Sequence, residues 1–565
     1  MNFKKLILVA SGAMLVAACV SSTDNGETPS ASKSTPLVYS GEAAAVRALP
    51  SPAARIKADV DFLADDARMG REAGTDGYLD AADYVAARMA DIGLKPAGDN
   101  GGWLQDVALR SARPILEAAS MTVTAKNGVK TSLTSLQDFR IFPSMSAKEF
   151  SVEGQAVFVG YGVHAPKFGH DDYAGVDLEG KVAVFFSGAP DVLGSEERAH
   201  FGRTTSKFAA AAERGAVAAI LLSSAQSVQR FPWERVASNP RRASLGWVGP
   251  NGEPSPRSGL LAGSAFMNAA SSEVLFDGAP RSFADVQKEM EAEGAAPAAF
   301  PLAVTVAMTG ALEFEDTSSP NVIGMLEGSD PALKDEYLVL TAHLDHIGFN
   351  QKLIDEGKDG INNGAMDNAL GIAVMLEVAR LFADNNAPAR SILVAAVTAE
   401  EKGLIGSDYL AHYPPVEKSA IIANINLDMP LMLHSFTDIV AFGGEHSSLG
   451  PLAKEAAALV GAKISPDPIP EQGIFTRSDH YRFVEQGIPS IFLWPGFENG
   501  GEEQFTEFFA KHYHRPSDEP SLPVKYDDVA RFATVNAAIV EVVGNAPERP
   551  AWNEGNIFGE LFAGE

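Results

Sequence analysis

Cysteine is almost absent: Cys19 is the single one in 565 residues. That excludes an internal disulfide and any cysteine-based zinc site. Basic residues are also scarce, with 45 Lys and Arg against 73 Asp and Glu and a formal net charge of -28. A phosphate backbone needs a basic surface, so nucleic acid is not expected as a partner. The acidity itself serves solubility. After the first 18 residues no apolar run is long enough to read as a membrane span. Internal repeats are missing too. What remains is a chain that is 46% hydrophobic, as a soluble globular protein is, and too long for one ordinary core, so two domains are the default.

The position of Cys19 is informative. A short basic start (Lys4, Lys5) precedes an apolar run from Leu6 to about Ala18, with small residues before the cysteine. This is the layout of a secretory signal. Val16, Ala17, Ala18 and Cys19 resemble a bacterial lipobox. The resemblance implies a signal peptide over 1–18 and lipidation of Cys19. The protein would be exported and lipid-anchored in the bacterial cell envelope, facing the periplasm. Val20, which is not aspartate, leans by resemblance to enterobacterial signals towards the outer membrane. Residues 19–42 read as a disordered tether, because SSTDNGETPSASKST over 21–35 has almost no apolar content.

From about 43 to 97 the pattern is helical. Ile56, Val60, Phe62 and Leu63 fall near one face, Tyr78, Ala81, Ala82, Val85 and Met89 recur at spacings of three and four, and Gly93 closes the second helix. Over about 145–310 short strands alternate with turns. FGHDDYAGVDLEGKVAVF, followed by a helix, Gly215 and a strand, resembles a protease-associated (PA) domain. His170, Asp171 and Asp172 in that block are expected in a turn without a metal. The aromatic loop Phe231, Pro232 and Trp233 is a candidate for shaping access to a site in the next domain. From about 318 to 544 strands and helices alternate again, with strands expected over 337–341, 391–398, 420–427 and 488–494. That rhythm implies a mainly parallel sheet covered by helices on both faces. The domain division is 43–144 and 311–546 for one α/β domain, 145–310 for an insertion, and 547–565 for a loose tail that packs at most through Trp552, Phe558 and Phe562.

Metal-ligand residue types stand where these strands end. TAHLDH carries His343 and Asp345; NNGAMDNALG carries Asp367. VTAEEKGLIGS carries Glu400 and Glu401, NINLDMP carries Asp428, and KHYHRPSDEP carries His514. Ligands gather beyond the carboxyl ends of strands in open α/β sheets, so these residues can converge. Imidazole and carboxylate suit Zn²⁺ with an open position. Two His and three carboxylates can hold two Zn²⁺, leaving Glu400 as the base for an activated water. Asp345, two residues after His343, faces the same side in an extended segment and can accept the His343 ring N–H. Each element alone has a plainer reading: a helix cap for Asp367, a solvated helix start for Glu400 and Glu401, a surface histidine for His514. Jointly those readings leave the acid pair and the H-x-D unexplained.

HLDH, GAMDNALG, AEEKGLIGS, NLDM, RSDHYRFVEQGIP and YHRPSDE, in that order, resemble the co-catalytic zinc aminopeptidases of metallopeptidase family 28, the bacterial leucyl aminopeptidase type. The resemblance is strong over about 318–544 and loose over 45–140. It implies a zinc aminopeptidase/phosphorylase-hydrolase-like α/β fold with a β-rich PA domain inserted. It implies that His343 and Asp428 bind one zinc, that Glu401 and His514 bind the other, and that Asp367 bridges them. Glu400 would be general base and proton shuttle, Asp345 would support His343, and Tyr513 would stabilise an oxyanion. Arg477, Ser478 and Asp479 match a segment at the substrate rim and receive no chemistry. His346 stands where a smaller residue is commoner and is expected only to line the pocket.

The reading is a two-zinc aminopeptidase acting on peptides with a free N-terminus, touching membrane only through its lipid anchor. A carboxypeptidase on the same scaffold, selective for glutamate-ended peptides, is the closest alternative, and would need a basic pocket, for which Arg477 and Arg515 in the motifs are candidates. A glutaminyl cyclase would use one zinc. A non-catalytic PA-containing binding protein would be expected to have lost ligands.

Overall fold

The computed structural model describes residues 37–224, 227–228, 232–238, 240–290 and 296–564. Cys19, the signal sequence, the tether up to residue 36 and Phe231 lie outside the described residues. Everything below belongs to the unit Val38–Glu565.

Four apolar runs become the strands Tyr337–His343, Ser391–Val397, Ile421–Asn426 and Ser490–Pro495. Ser391–Val397, Ile421–Asn426 and Ser490–Pro495 are buried at every residue, and Tyr337–His343 at all but Tyr337. Continuous apolar sequence is what a parallel strand covered on both faces requires. Tyr337–His343 pairs in parallel with Ser391–Val397 on one side and Ile421–Asn426 on the other. Helices Leu370–Asn385 and Tyr526–Asn545 pack over one face together with Pro52–Leu63 and Asp76–Ile92. Ser51 and Thr75 cap the latter two through their side chains, and Gly93 ends the second at φ 101°. Ile405–His412 and His480–Val484 cover the opposite face through Leu410, Ala411 and Phe483. The fold is therefore mixed α/β with a large, mainly parallel central sheet.

Register places the motifs. His343 lies opposite Val397, so Glu400 and Glu401 emerge three and four residues beyond the same level. Thr341 lies opposite Asn426, so Asp428 emerges beside His343. The three carboxyl-terminal strand ends meet at one sheet edge.

The block 145–310 does not stand apart as short strands between turns. Its strands Glu149–Phe158, Val182–Phe186, Ala218–Leu222 and Gly263–Met267 are mutually parallel and extend the same sheet, which reaches 16 strands among the described residues. The join is Phe300–Leu326, 27 residues long. Its first half pairs with Glu149–Phe158 and its last five residues with Ser391–Val397. A second long strand, Leu104–Ala125, runs antiparallel beside it from Val304↔Ala125 to Val322↔Leu104. Alternating burial along 301–312 keeps the ribbon half-covered, so nothing in the sequence forces a break there. The block's own core, around Phe158, Val184, Phe186, Ile220 and Leu222, also takes in Met121, Val123, Phe139 and Ile141 from before residue 145.

His170 and Asp171 pair with His164 and Ala165, and the Asp172 carboxylate accepts the backbone N–H groups of Tyr161 and Val163, both at 3.0 Å. So His170 and Asp171 form a short strand pair where a turn was expected, and only Asp172 of the three sits in a turn. The tail is not loose. Phe558 is 0% and Trp552 8% exposed, and the Trp552 indole donates to the Gly487 carbonyl at 2.9 Å. The two buried aromatics and the indole hydrogen bond anchor the segment to the body.

Candidate metal centre

The residues expected at strand ends meet in two groups. His343 Nε2 is 3.1 Å from Asp428 Oδ1 and 3.3 Å from Asp367 Oδ1. His514 Nε2 is 3.1 Å from Glu401 Oε2 and 3.3 Å from Asp367 Oδ2. Asp367 therefore gives one oxygen to each group. His343, Asp367 and Asp428 offer ligand atoms within 4.8 Å of one another, as do His346, Asp367 and Glu401.

The second group thus has two imidazoles to choose from. His346 Nδ1 is 2.7 Å from Glu401 Oε1 but 4.0 Å from Asp367 Oδ2. His514 faces a cavity of about 390 Å³ that His343, Asp367 and Asp428 also line; His346 lines neither this cavity nor its neighbour. His346 is 0% exposed, with Nε2 lacking a hydrogen-bond partner among the described residues. So the expectation that His346 lines the pocket is corrected: it stands behind Glu401 and fixes that carboxylate.

Asp345 is corrected as well. The His343 Nδ1–H donates to the Asp345 carbonyl at 3.1 Å, while the carboxylate stays 4.0 Å away. That carboxylate instead accepts the backbone N–H groups of Glu400 at 3.0 Å and Glu401 at 3.3 Å. Asp345 thus sets the imidazole through its backbone and the acid pair through its side chain. Positive φ at Ala399 (53°), Met429 (44°) and His514 (56°) bends the chain sharply at three of these positions. L-residues enter that region at a cost of about 1 kcal/mol or more each, which the surrounding packing must offset.

Electrostatics identify what the groups lack. Burial opposes charge on His343, yet Asp428, Glu400 and the contacts to Asp367 hold its pKa well above the usual range. Burial likewise opposes His514, but its bonds to Asp367 and Glu401 push it up to about 10. Burial would raise Asp367, and the two imidazoles lower it. Buried carboxylates here outnumber fixed cations, and imidazoles are drawn into the cationic form to compensate. A divalent cation meets the same demand, with neutral imidazoles as ligands. The donor set fits Zn²⁺: nitrogen and carboxylate oxygen from separate strands, with an open side toward a cavity.

Glu400 differs from its neighbours. Its carboxylate has no hydrogen-bond or ion-pair partner among the described residues, and it lines both this cavity and a second one of about 680 Å³. Burial raises its pKa well above the usual carboxylate range; Glu401, Asp428 and Asp479 add to that and His343 opposes it. Tyr513 lines both cavities, stacked on the His514 ring at 3.9 Å. Burial, then the acids nearby, raise its pKa, so the phenol keeps its proton.

Three residues without an assigned role turn out to build the site. Ser478 Oγ donates to Asp428 Oδ2 at 2.6 Å and accepts from Asn426 Nδ2 at 2.7 Å. Asp518, 0% exposed, accepts the backbone N–H groups of Met366 (2.9 Å) and Asp367 (3.1 Å). Arg71, 1% exposed, donates to the carbonyls of Leu344, Asn363 and Gly364, tying the His343 loop to the Asp367 loop. Ser478 and Asp518 lie inside quoted motifs, which was the available signal; Arg71 carried none. Trp233 does not gate the site. It lines neither cavity, and its indole donates to the Leu136 carbonyl at 3.0 Å beside Phe266. The block 145–310 reaches the site elsewhere, through residues 244–247 and 255–261 on the wall of the larger cavity, and supplies no member of either group.

A probable zinc metalloprotease of Pyrenophora tritici-repentis is 28% identical over 261 residues, covering 40% of this chain and 58% of the relative. Aminopeptidase YwaD of Bacillus subtilis is 30% identical over 236 residues, covering 41% and 46%. The chain thus spans about half the length of the curated relatives it matches. The aminopeptidase from Aneurinibacillus sp. strain AM-1 aligns over 86% of this chain and 93% of its own, at 18% identity and a TM-score of 0.46. Residues 321–540 match the model of peptidase family M28. That stretch contains His343, Asp367, Glu400, Glu401, Asp428 and His514.

Proposed function

We propose that this protein is a zinc-dependent aminopeptidase that holds two Zn²⁺ per chain. The observation that carries the proposal is the division of Asp367: one oxygen faces His343 and Asp428, the other His514 and Glu401. His343 and Asp428 would hold one ion, His514 and Glu401 the other, and Asp367 both. The names of the relatives, a zinc metalloprotease and an aminopeptidase, support the metal and the reaction. Zinc bound there supplies Lewis-acid polarisation of a carbonyl and acidification of water.

The chain's own groups do the rest. Glu400 is free of partners, so it accepts a proton from the attacking water and passes it to the leaving amine nitrogen. Tyr513 keeps its proton and donates to the carbonyl oxygen as negative charge develops there. Asp345 and Ser478 hold Glu400, Glu401 and Asp428 in place. Met429, Ile474, Phe492, Trp494, Phe505 and Phe509 line the smaller cavity, which suits a large apolar side chain on the N-terminal residue.

The proposal extends to export and lipid anchoring at Cys19, supported by residues 16–19, and to a PA-like identity for 145–310, supported by the sequence resemblance. The test is a panel of aminoacyl amides and their N-blocked counterparts, with metal analysis on the same preparation. Cleavage of free-amine substrates only, apolar ones best, with two zinc per chain is expected. Cleavage of N-blocked peptides would end the aminopeptidase reading.

A further inference from the structure

We propose that the larger cavity binds the substrate's C-terminal carboxylate, with Arg477 as its first anchor, so that the enzyme selects short peptides with a free C-terminus. This rests on the aminopeptidase reading above.

The two cavities share Glu400, Arg477 and Tyr513, so a peptide whose scissile bond lies beside Glu400 continues from the smaller into the larger. The larger measures about 680 Å³, the scale of a cleft for a compact ligand, roughly 300–1,000 Å³. Its walls bear four guanidiniums: Arg203 and Arg257 from the block 145–310, Arg477 and Arg482 from the strands' side. Three of them share one carboxylate. Arg203 Nη1 is 3.5 Å from Glu485 Oε1, Arg482 Nη1 is 2.7 Å from Glu485 Oε2, and Arg257 pairs with the same oxygen. Asp408, the other acid at this end, is occupied by the Trp247 indole at 2.6 Å and the Ser255 hydroxyl at 3.4 Å.

Arg482 is left with a buried Nε that has no partner, and the Arg477 guanidinium has no ion pair among the described residues. The lining thus sets four arginines beside Glu400, Glu401 and Asp408, and of the four arginines it is Arg477 that carries no ion pair among the described residues. Glu400, Asp367 and Asp428 line the smaller cavity, where the substrate's amino end would lie. A short peptide is a zwitterion with the matching polarity. Guanidinium binds carboxylate through two parallel N–H donors, which gives direction as well as attraction.

The experiment compares kcat/KM for Leu-Leu, Leu-Leu-amide, Leu-Glu-amide and N-acetyl-Leu-Leu on the full-length zinc-loaded protein and on Arg477→Ala, Arg477→Lys and Arg257→Ala. Leu-Leu should exceed Leu-Leu-amide by about 10- to 100-fold in the wild type, the scale of a charge-assisted hydrogen bond, mainly through KM. Arg477→Ala should bring that ratio close to one, and Arg477→Lys should restore part of it. A ratio near one in the wild type, or one unchanged in both Arg477→Ala and Arg257→Ala, overturns the proposal while leaving the aminopeptidase reading intact. A preference for Leu-Glu-amide without one for Leu-Leu assigns the cavity to an acidic side chain and also overturns it. Cleavage of N-acetyl-Leu-Leu removes the aminopeptidase reading and this proposal with it.

Discussion

Glu400→Gln isolates proton transfer from metal binding. The Glu400 carboxylate contacts neither imidazole of the two groups, whereas Glu401 holds His346 at 2.7 Å through one oxygen and His514 at 3.1 Å through the other. The amide has the same volume, so packing is preserved. It also removes a negative charge that Glu401, Asp428 and Asp479 repel, so the melting temperature should not fall. Bound zinc should stay at the wild-type count. A missing general base costs about 10²- to 10⁴-fold in kcat, which at ~1.4 kcal/mol per tenfold is roughly 3–5 kcal/mol of barrier. Metal would be measured after dialysis against buffer at low zinc, and kcat with an aminoacyl amide at saturation. Glu401→Gln is the contrasting variant: an amide cannot accept at both oxygens, so zinc and activity should fall together. The reasoning is refuted if Glu400→Gln loses zinc in step with activity, or if its kcat stays within tenfold of wild type.

Three further outcomes follow from contacts around the site. Ser478→Ala removes the 2.6 Å donor to Asp428 and should weaken zinc binding about 10- to 100-fold, read by competition with a chelating dye; an unchanged affinity would mean that Asp428 needs no such support. Glu485→Gln leaves Arg203, Arg257 and Arg482 without their shared partner and should cost about 3–5 kcal/mol at pH 7. Burial would raise Glu485, but Arg482, Arg257 and Arg203 lower it to about 2, so its contribution is full above the ordinary carboxylate pKa and is lost as pH falls from about 4.5 to 2. Urea midpoints of wild type and variant should therefore converge across that window, and a constant gap would contradict the assignment. Removing metal with a chelator should lower the melting temperature, because the buried carboxylates then face only imidazoles; equal melting with and without zinc would contradict the fit argued from the histidine pKa values.

The sequence alone determined what is local. Continuous apolar runs made 391–398, 420–427 and 488–494 strands, and the structure has Ser391–Val397, Ile421–Asn426 and Ser490–Pro495. The ends of such runs named His343, Glu400, Glu401 and Asp428, because a parallel sheet offers its carboxyl edge to ligands. What only the tertiary structure decided is which side-chain atom meets which. Asp345 was read from an i, i+2 spacing, yet its carbonyl takes the His343 ring N–H and its carboxylate turns to the acid pair. His346 differs from a ligand only in facing the rear of Glu401 and not the cavity. Arg71 lies 272 positions before His343 in a helical region with no motif, and its role exists only once two loops close around it. The block 145–310 joins the same sheet because the ladder between Leu104–Ala125 and Phe300–Leu326 is a long-range pairing. Periodicity along a chain reports which face of an element is buried; it carries no information on which distant element buries it.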